Sequence, residues 1–387
     1  MTEVAVVHTN ETDSTLAGKK LGCEIKAKIS GNPDALIVFA SPLYDFKLLL
    51  RNIAAQCNPA HMLGCSSAGE FSSATPQEGS ACALAFKSSD MVFSVGVARN
   101  LSSDRKQAAQ SITDSFNGLD DQTYAYRTAM VLTDALAGFA DSLIEEITLS
   151  TSGMYQLFGG GAGDDAQFKR THIFYGEDAI TDAAVALEIL SNKPIGIGVQ
   201  HGWEPASAAM RVTEVDGKRL ISVNAVPAIE AFQAHAEATG QILDLEKPTA
   251  FFLSNVIGIE DQGAYRLRVP LTTNTKGEVF CAAEIPSGSI IYIMRTSCVC
   301  SAEAAAQATK TALAQLEDHR PKTAIFFDCV ATRLRTGQDF GLELGKLDDL
   351  LSPATYVGCN TYGQIARAEG QFGGFHNCTA VIGIFPE

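Results

Sequence analysis

A short apolar run that breaks into a glycine turn occurs three times in this chain, and this recurrence constrains the fold more than any other feature. The first copy reads Leu63-Gly64-Cys65-Ser66-Ser67-Ala68-Gly69-Glu70, and the last reads Val357-Gly358-Cys359-Asn360-Thr361-Tyr362-Gly363-Gln364. Between them, Phe158-Gly159-Gly160-Gly161-Ala162-Gly163-Asp164-Asp165 is a degenerate copy, one residue shorter between its outer glycines. Glycine permits positive φ and the close approach of another backbone or a ligand. Each copy carries small residues and ends on a side chain with a carbonyl oxygen, so the turns are candidate walls of a shared pocket.

The flanking sequence repeats with the turns. Ala35–Ala40 reads as a buried strand, and Asp45 caps a helix whose apolar residues Phe46, Leu49, Leu50 and Ile53 share one face. The first turn follows, then strands at Ala81–Phe86 and Met91–Val97 and a helix from Asp104 to Asn117. Ala129–Thr133, a helix marked by Phe139, Leu143, Ile144 and Ile147, and Met154–Phe158 give the second copy. Thr323–Cys329, a helix near Asp339–Leu347, Thr355–Val357 and the last strand Cys378–Phe385 give the third. The expected class is α/β (α+β), with mixed sheets from tandem related units in a four-layer helix–sheet–sheet–helix arrangement. Between copies two and three lies a strand-rich insert. It reads as a hairpin at Val212–Val223 turning at Asp216-Gly217, and a second joining Tyr265–Val269 to Val279–Ile285. An alanine-rich helix runs from Ser301 to Glu317. The expected boundary separates residues 1–205, holding two units, from 206–387, holding the insert and the third unit.

Composition removes several function classes. A net charge of −15 argues against a general nucleic-acid or anionic-membrane surface. No apolar run approaches the roughly 20 residues a membrane span requires, and the start lacks the pattern of a secretory signal. The ten cysteines are scattered, several inside apolar strands, and no Cys-x-x-Cys pair exists, which points to a reducing cytoplasm. The Gly159–Gly163 stretch is followed by Asp164 and Asp165, whose carboxylates would repel a phosphate.

The ordered motifs resemble a known family. The first two glycine turns with His201-Gly202-Trp203-Glu204-Pro205 resemble the N-terminal FIST domain. The third turn with Phe375-His376-Asn377-Cys378-Thr379 resembles the end of its C-terminal partner. The chain departs from the usual pattern at Gln364, where an acid is common, and at Cys378, where Gln is common. The resemblance implies an intracellular sensory module that binds a small molecule, such as an amino acid, without turning it over. Its signal would pass to a separate histidine kinase, chemoreceptor or cyclic-dinucleotide enzyme. One branch of the family resembles haem-containing nitric-oxide sensors, which makes haem a candidate cofactor. His201 is the first candidate ligand, ahead of His376 and His235.

Three chemistries therefore compete. For a small polar ligand, Cys65, Ser66 and Glu70 of the first turn are candidates, with Arg333 or Arg335 to pair a carboxylate. Asn360, Thr361, Tyr362, His376 and Asn377 would supply donors and acceptors near the third turn. For haem, His201 would be the metal ligand. For a cysteine hydrolase, Cys65 or Cys359 would be the nucleophile, His376 the base and Asn377 its orienting group. Cys298-x-Cys300 is the one close cysteine pair, and strand alternation would put both thiols on one face.

Overall fold

The structure is a computed structural model. It describes the chain except for Met1, Ala74, Glu78, Gln122, Gln262, Glu369, Phe372 and the side chains of residues 75–77. The first unit runs β1 (Thr2–Thr9), α1 (Ser14–Lys28), β2 (Ala35–Ala40), α2 (Phe46–Cys57), β3 (His61–Ser66), the short pair β4 (Glu70–Ser72) and β5 (Thr75–Gln77), then β6 (Ala81–Ser88). The second repeats this order as β7 (Met91–Arg99), α3 (Arg105–Thr113), β8 (Tyr126–Thr133), α4 (Ala140–Ser150), β9 (Gln156–Gly161), β10 (Ile173–Tyr175), β11 (Asp178–Ile180) and β12 (Ala183–Ser191). The third opens on β13 (Gly196–Gln200) and is then interrupted by the insert.

The insert comprises β14 (Glu204–Pro205), β15 (Met210–Asp216), β16 (Arg219–Val223), β17 (Val226–Pro227), α5 (Ala228–Thr239) and α6 (Thr249–Phe252). It continues with β18 (Val256–Asp261), β19 (Ala264–Arg268), β20 (Pro270–Thr273), β21 (Val279–Cys281) and β22 (Ile290–Arg295). The third unit resumes as α7 (Cys298–Ala314), β23 (Pro321–Cys329), α8 (Val330–Thr336), α9 (Gly341–Leu351), β24 (Thr355–Thr361), β25 (Gln364–Arg367), β26 (Gly374–His376) and β27 (Ala380–Pro386).

Each unit builds the same sheet. In the first, β2 and β3 are parallel and β6 runs antiparallel between β1 and β2. The second and third match it, with parallel pairs β8–β9 and β23–β24 and antiparallel partners β12 and β27. The small pair after each glycine turn leaves its own unit. β10 and β11 join the first sheet beside β3, β25 and β26 join the second beside β9, and β4 and β5 join the third beside β24. The connectivity is therefore threefold and cyclic.

These pairings make Gly64, Gly159 and Gly358 equivalent, opposite Val38, Val131 and Phe326. A Cβ at each would lie 1.8, 1.9 and 2.1 Å from the carbonyl oxygen of that partner. Glycine is used here because a second backbone occupies the space a side chain would fill.

The inner faces of the three sheets share one core, in which Phe39, Phe158, Phe327 and Phe385 meet. Helix pairs cover the outer faces: α1 and α2 on the first sheet, α3 and α4 on the second, α7 and α9 on the third. Helices outside and sheets inside are consistent with the expected layering, and the mixed α/β class holds. Aspartates 13, 45 and 104 cap α1, α2 and α3 by accepting a backbone N–H, worth about 1 kcal/mol each.

Three local expectations are corrected. Cys298 and Cys300 lie in the first turn of α7, capped by Ser297, so strand alternation does not place them on one face. α3 stops at Thr113 rather than Asn117, because the buried carboxylate of Glu188 draws the N–H groups of Asn117 and Gly118 out of helical register. Residues 264–268 pair with β18, and β21 takes β20 as its partner.

Candidate functional site

The three glycine turns meet and bond to one another in a ring. Gly163 N–H donates to Ser66 O at 2.8 Å, and Ser66 Oγ donates back to Gly163 O at 2.7 Å. Ala68 N–H donates to Asn360 O at 2.9 Å, and Asn360 N–H to Gly69 O at 2.8 Å. Gly161 N–H donates to Gly363 O at 2.8 Å, and Tyr362 N–H to Gly161 O at 2.9 Å. Each turn thereby satisfies backbone groups that its neighbour leaves without a ladder partner. The result is a packed plug. Cys65, Ser66, Glu70, Asn360, Thr361 and His376 are all buried within or beside it.

The carboxyl of Glu70 turns inward, accepting from Ser67 Oγ and from the N–H and Oγ of Ser80. Burial pushes it up to about 7 against the help of those bonds. Arg333 donates to Ala68 O, and its guanidinium and the Asn360 amide oxygen both fill the space a side chain at Gly69 would need. Arg335 lies elsewhere, donating to Ser301 Oγ at 2.6 Å and covering the Trp203 ring at 5.5 Å.

The plug is one wall of a cavity of about 280 Å³ at the seam with the insert. Tyr362, Gly363 and Asn377 face it from the third unit, with Cys329, Ala331 and Leu334 from the end of β23 and α8. The insert supplies Lys218, Leu253, Val269, Leu271 and Cys281, and the second unit Leu136 and Phe168. Apolar surface dominates, and Lys218 is the one charged residue among the described lining residues. The Tyr362 ring stacks on Phe168 with centroids 4.5 Å apart. Its hydroxyl donates to Asp164, whose carboxylate also accepts the N–H groups of Phe168, Lys169 and Arg170. That clamp fixes the aromatic wall, and burial beside Asp164 raises the phenol so that it stays protonated.

Of the predicted residues, the fold brings only Tyr362 and Asn377 onto the cavity, and the other turn residues stand behind them. Phe168, Lys218, Leu271 and Cys329 were not foreseen as lining residues. They come from the second unit, the insert and the third unit, and no local pattern marks them.

The seam itself is held by Arg268. Its buried guanidinium pairs with Asp141, donates to Phe375 O at 3.0 Å, and bonds Glu284 O through Nε at 2.7 Å.

The other predicted chemistries meet different surroundings. Cys65 and Cys359 lie in the same core cluster as Cys82, and burial drives Cys359 well above the usual thiol range. His376 sits instead among Arg266, Arg268 and His201, where burial holds it neutral. A nucleophile–base pair is therefore not assembled. His201 lines an open groove with Trp203, Arg295 and Cys300. Its Nε2 meets Tyr265 O at 2.9 Å, and its Nδ1 accepts Trp203 N–H at 3.2 Å. His235 is buried, with Nε2 on Asn255. Iron ligation at His201 would break one of its two bonds, and His376 and His235 have no open face for a macrocycle, so these residues do not fit haem. Among the described residues no cluster of three or more His, Cys, Asp or Glu is placed to hold a metal.

The sequence model of the FIST N domain matches residues 34–225, and that of the FIST C domain matches residues 231–367. The chain belongs to the FIST family. FIST domains are sensory modules of signal transduction and are not known as enzymes. An uncharacterized protein of Methanocaldococcus jannaschii is 21% identical to this FIST chain over 314 residues, 75% of this chain and 59% of the relative. The chain thus spans about three-fifths of the length of that relative. Among solved structures, a cyanuric acid hydrolase from A. caulinodans aligns over 100% of both chains with 8% identity and a TM-score of 0.35. A likeness that distant carries no argument. Among the described residues of this FIST protein, no helix is long and apolar enough to cross a membrane.

Proposed function

We propose that this FIST protein is a sensory module that binds a small metabolite in the seam cavity without turning it over. The observation that carries the reading is the cavity of about 280 Å³ enclosed jointly by the interlocked turns and the insert. Its volume lies just under the roughly 300–1,000 Å³ of drug-sized sites, which suits a metabolite. Apolar walls that include Lys218 and Asn377 favour a small carboxylate with an apolar body, and an apolar amino acid meets that description. The ligand touches the core and the insert at once, so it favours conformations in which the two are closed on each other. A separate partner reads that shift: a histidine kinase, a chemoreceptor or a cyclic-dinucleotide enzyme in the reducing cytoplasm. The proposed division at residue 205 makes the second part, 206–387, the supplier of most cavity walls.

A thermal-shift screen of the reduced protein against amino acids and small carboxylic acids tests this. A true ligand at 100 times its Kd adds about 2.7 kcal/mol of stability. The expected result is a rise in Tm that is lost in Tyr362→Ala and weakened at least tenfold in apparent affinity in Lys218→Met. A panel that leaves Tm unmoved, or a shift indifferent to both substitutions, ends the proposal.

A further inference from the structure

The edge strand β13 is closed by side chains instead of by another strand. Among the described residues it pairs with β27 alone, and the alternation of that ladder turns Ile197 and Val199 outward. Ile197 N–H donates to Gln315 Oε1 at 2.9 Å, and Gln315 Nε2 donates back to Ile197 O at 2.8 Å. Val199 N–H donates to Gln371 Oε1 at 2.9 Å, and Gln371 Nε2 donates to the same Ile197 O at 2.7 Å. A carboxamide carries the donor and the acceptor of a peptide group, so the two glutamines imitate a further strand. They blunt an edge that would otherwise template another chain. The strand beneath is firmly backed. A Cβ at Gly196 or Gly198 would lie 1.9 Å from Ala312 O or Ala308 O, so the main chain of α7 lies directly on β13. Gln307, Thr311 and Gln315 succeed one another a turn apart on α7 and its cap. Gln371 is half-buried in the loop between β25 and β26, and it lines a groove of about 880 Å³. Val199 and Gln200 of β13, Gln307 and Thr311 of α7, and the turn between β18 and β19 line it too. Asp261 is the one carboxylate among the described lining residues, which include no Lys or Arg, and Arg266 already pairs with it at 3.0 Å.

We propose that β13 is a docking edge for one extended segment of a partner protein, which adds to the third sheet and displaces the Gln371 carboxamide. The pattern Gln371 satisfies also sets the direction of the segment. One residue of a parallel strand gives its own N–H to the carbonyl of one residue and accepts, on its own C=O, the N–H two residues further on. Ile197 O and Val199 N–H are such a pair, centred on Gly198. The segment therefore runs parallel to β13, and Gln315 keeps both of its bonds to Ile197. Main-chain groups supply the affinity, as in other cases of strand addition. The groove offers no unpaired charge, so it selects a segment with uncharged polar side chains. A second copy of this chain would bring a packed sheet and its helices to the edge, where α7 and the β18–β19 turn already line the groove, whereas a single strand brings only its own width. The groove shares no described lining residue with the seam cavity, and docking there does not depend on what the cavity binds.

Selection of random dodecapeptides displayed on phage against the full chain tests this, with each selected sequence resynthesised and titrated by calorimetry. The expected result is binding in the micromolar range that slows hydrogen exchange of the amides of residues 196–200. Methylating the peptide nitrogens one at a time is expected to weaken binding at least tenfold at every second position and to spare the positions between, the period of a strand. Gln371→Ala removes the internal competitor and is expected to tighten binding at least threefold, a gain that a merely structural glutamine does not give. Failure to select any peptide overturns the proposal, as does a selected peptide that leaves exchange at residues 196–200 unchanged. Binding unchanged or weakened in Gln371→Ala overturns it as well. Should Gln371→Ala not fold, the exchange map and the methylation scan of the parent chain decide. The thermal response to carboxylates is read separately, so either proposal can fail while the other stands.

Discussion

Glu70 shows what burial does to a residue chosen for polarity. Its sequence position, at the end of a glycine turn, suggested a ligand contact, yet the turn closes over it and Ser67 and Ser80 absorb its oxygens. Its value of about 7 lies above the ordinary 4.5, so the folded chain binds more protons than the unfolded chain between those limits. Its contribution to stability is complete below pH 4.5 and is lost as pH rises toward 7, by an amount on the order of 3 kcal/mol. Urea unfolding of Glu70→Gln is expected to show a shallower loss between pH 5 and pH 7.5 than the parent. An equal slope in both proteins refutes the assignment. At this scale the sequence was half legible. A turn announces itself through Gly, Ser and Asn, but whether its side chains face a cavity or a neighbouring turn depends on partners roughly 100 to 300 residues away. Lys218 and Cys329 carried no local mark for the same reason, since nothing near either residue anticipates the surface it meets across the seam.

Elements were the most legible level, because their signals are local. The helix-spaced apolar residues of α2 and its Asp45 cap are where the periodicity puts them, and Asp45→Ala is expected to cost about 1 kcal/mol by chemical denaturation. The glycines that open each turn were recognised as close-approach sites, and the approaching group proves to be the parallel neighbour's carbonyl. Gly64→Ala places a methyl 1.8 Å from Val38 O and is expected to destabilise by more than about 4 kcal/mol. Gly31→Ala, with nothing within 4 Å of the added atom but a φ of +78°, is expected to cost only about 1 kcal/mol. A comparison of their urea midpoints separates crowding from backbone strain. The Cys298-x-Cys300 reading failed because Ser297 caps a helix there, and two residues of spacing look alike at the end of a strand and at the start of a helix.

For the whole molecule, order and spacing revealed three copies but not the exchange of hairpins among them, because strand pairing across units leaves no trace in the local pattern. The insert is a separable addition. Glu204 and Arg295 are cross-strand partners at its two ends, joined at 2.8 Å through Arg295 Nε, and adjacent strands lie about 4.8 Å apart. Replacing residues 206–293 with a short Gly-Ser loop is expected to leave the three-sheet core folded by circular dichroism and to abolish any ligand-dependent rise in Tm. Arg268→Met keeps the insert but leaves Asp141 only the longer pair with Arg266 at 3.6 Å and the Phe375 N–H, and is expected to lower stability by about 2–3 kcal/mol. The cyclic exchange also sets a timetable for a growing polypeptide. The first sheet is finished once residue 180 has emerged, but the second waits for residue 376, and the third joins strands from residues 70–77 to one that ends at residue 386. Early-made segments must therefore remain unmatched while late ones are synthesised. That delay makes this architecture slow to mature and exposed to wrong associations during translation.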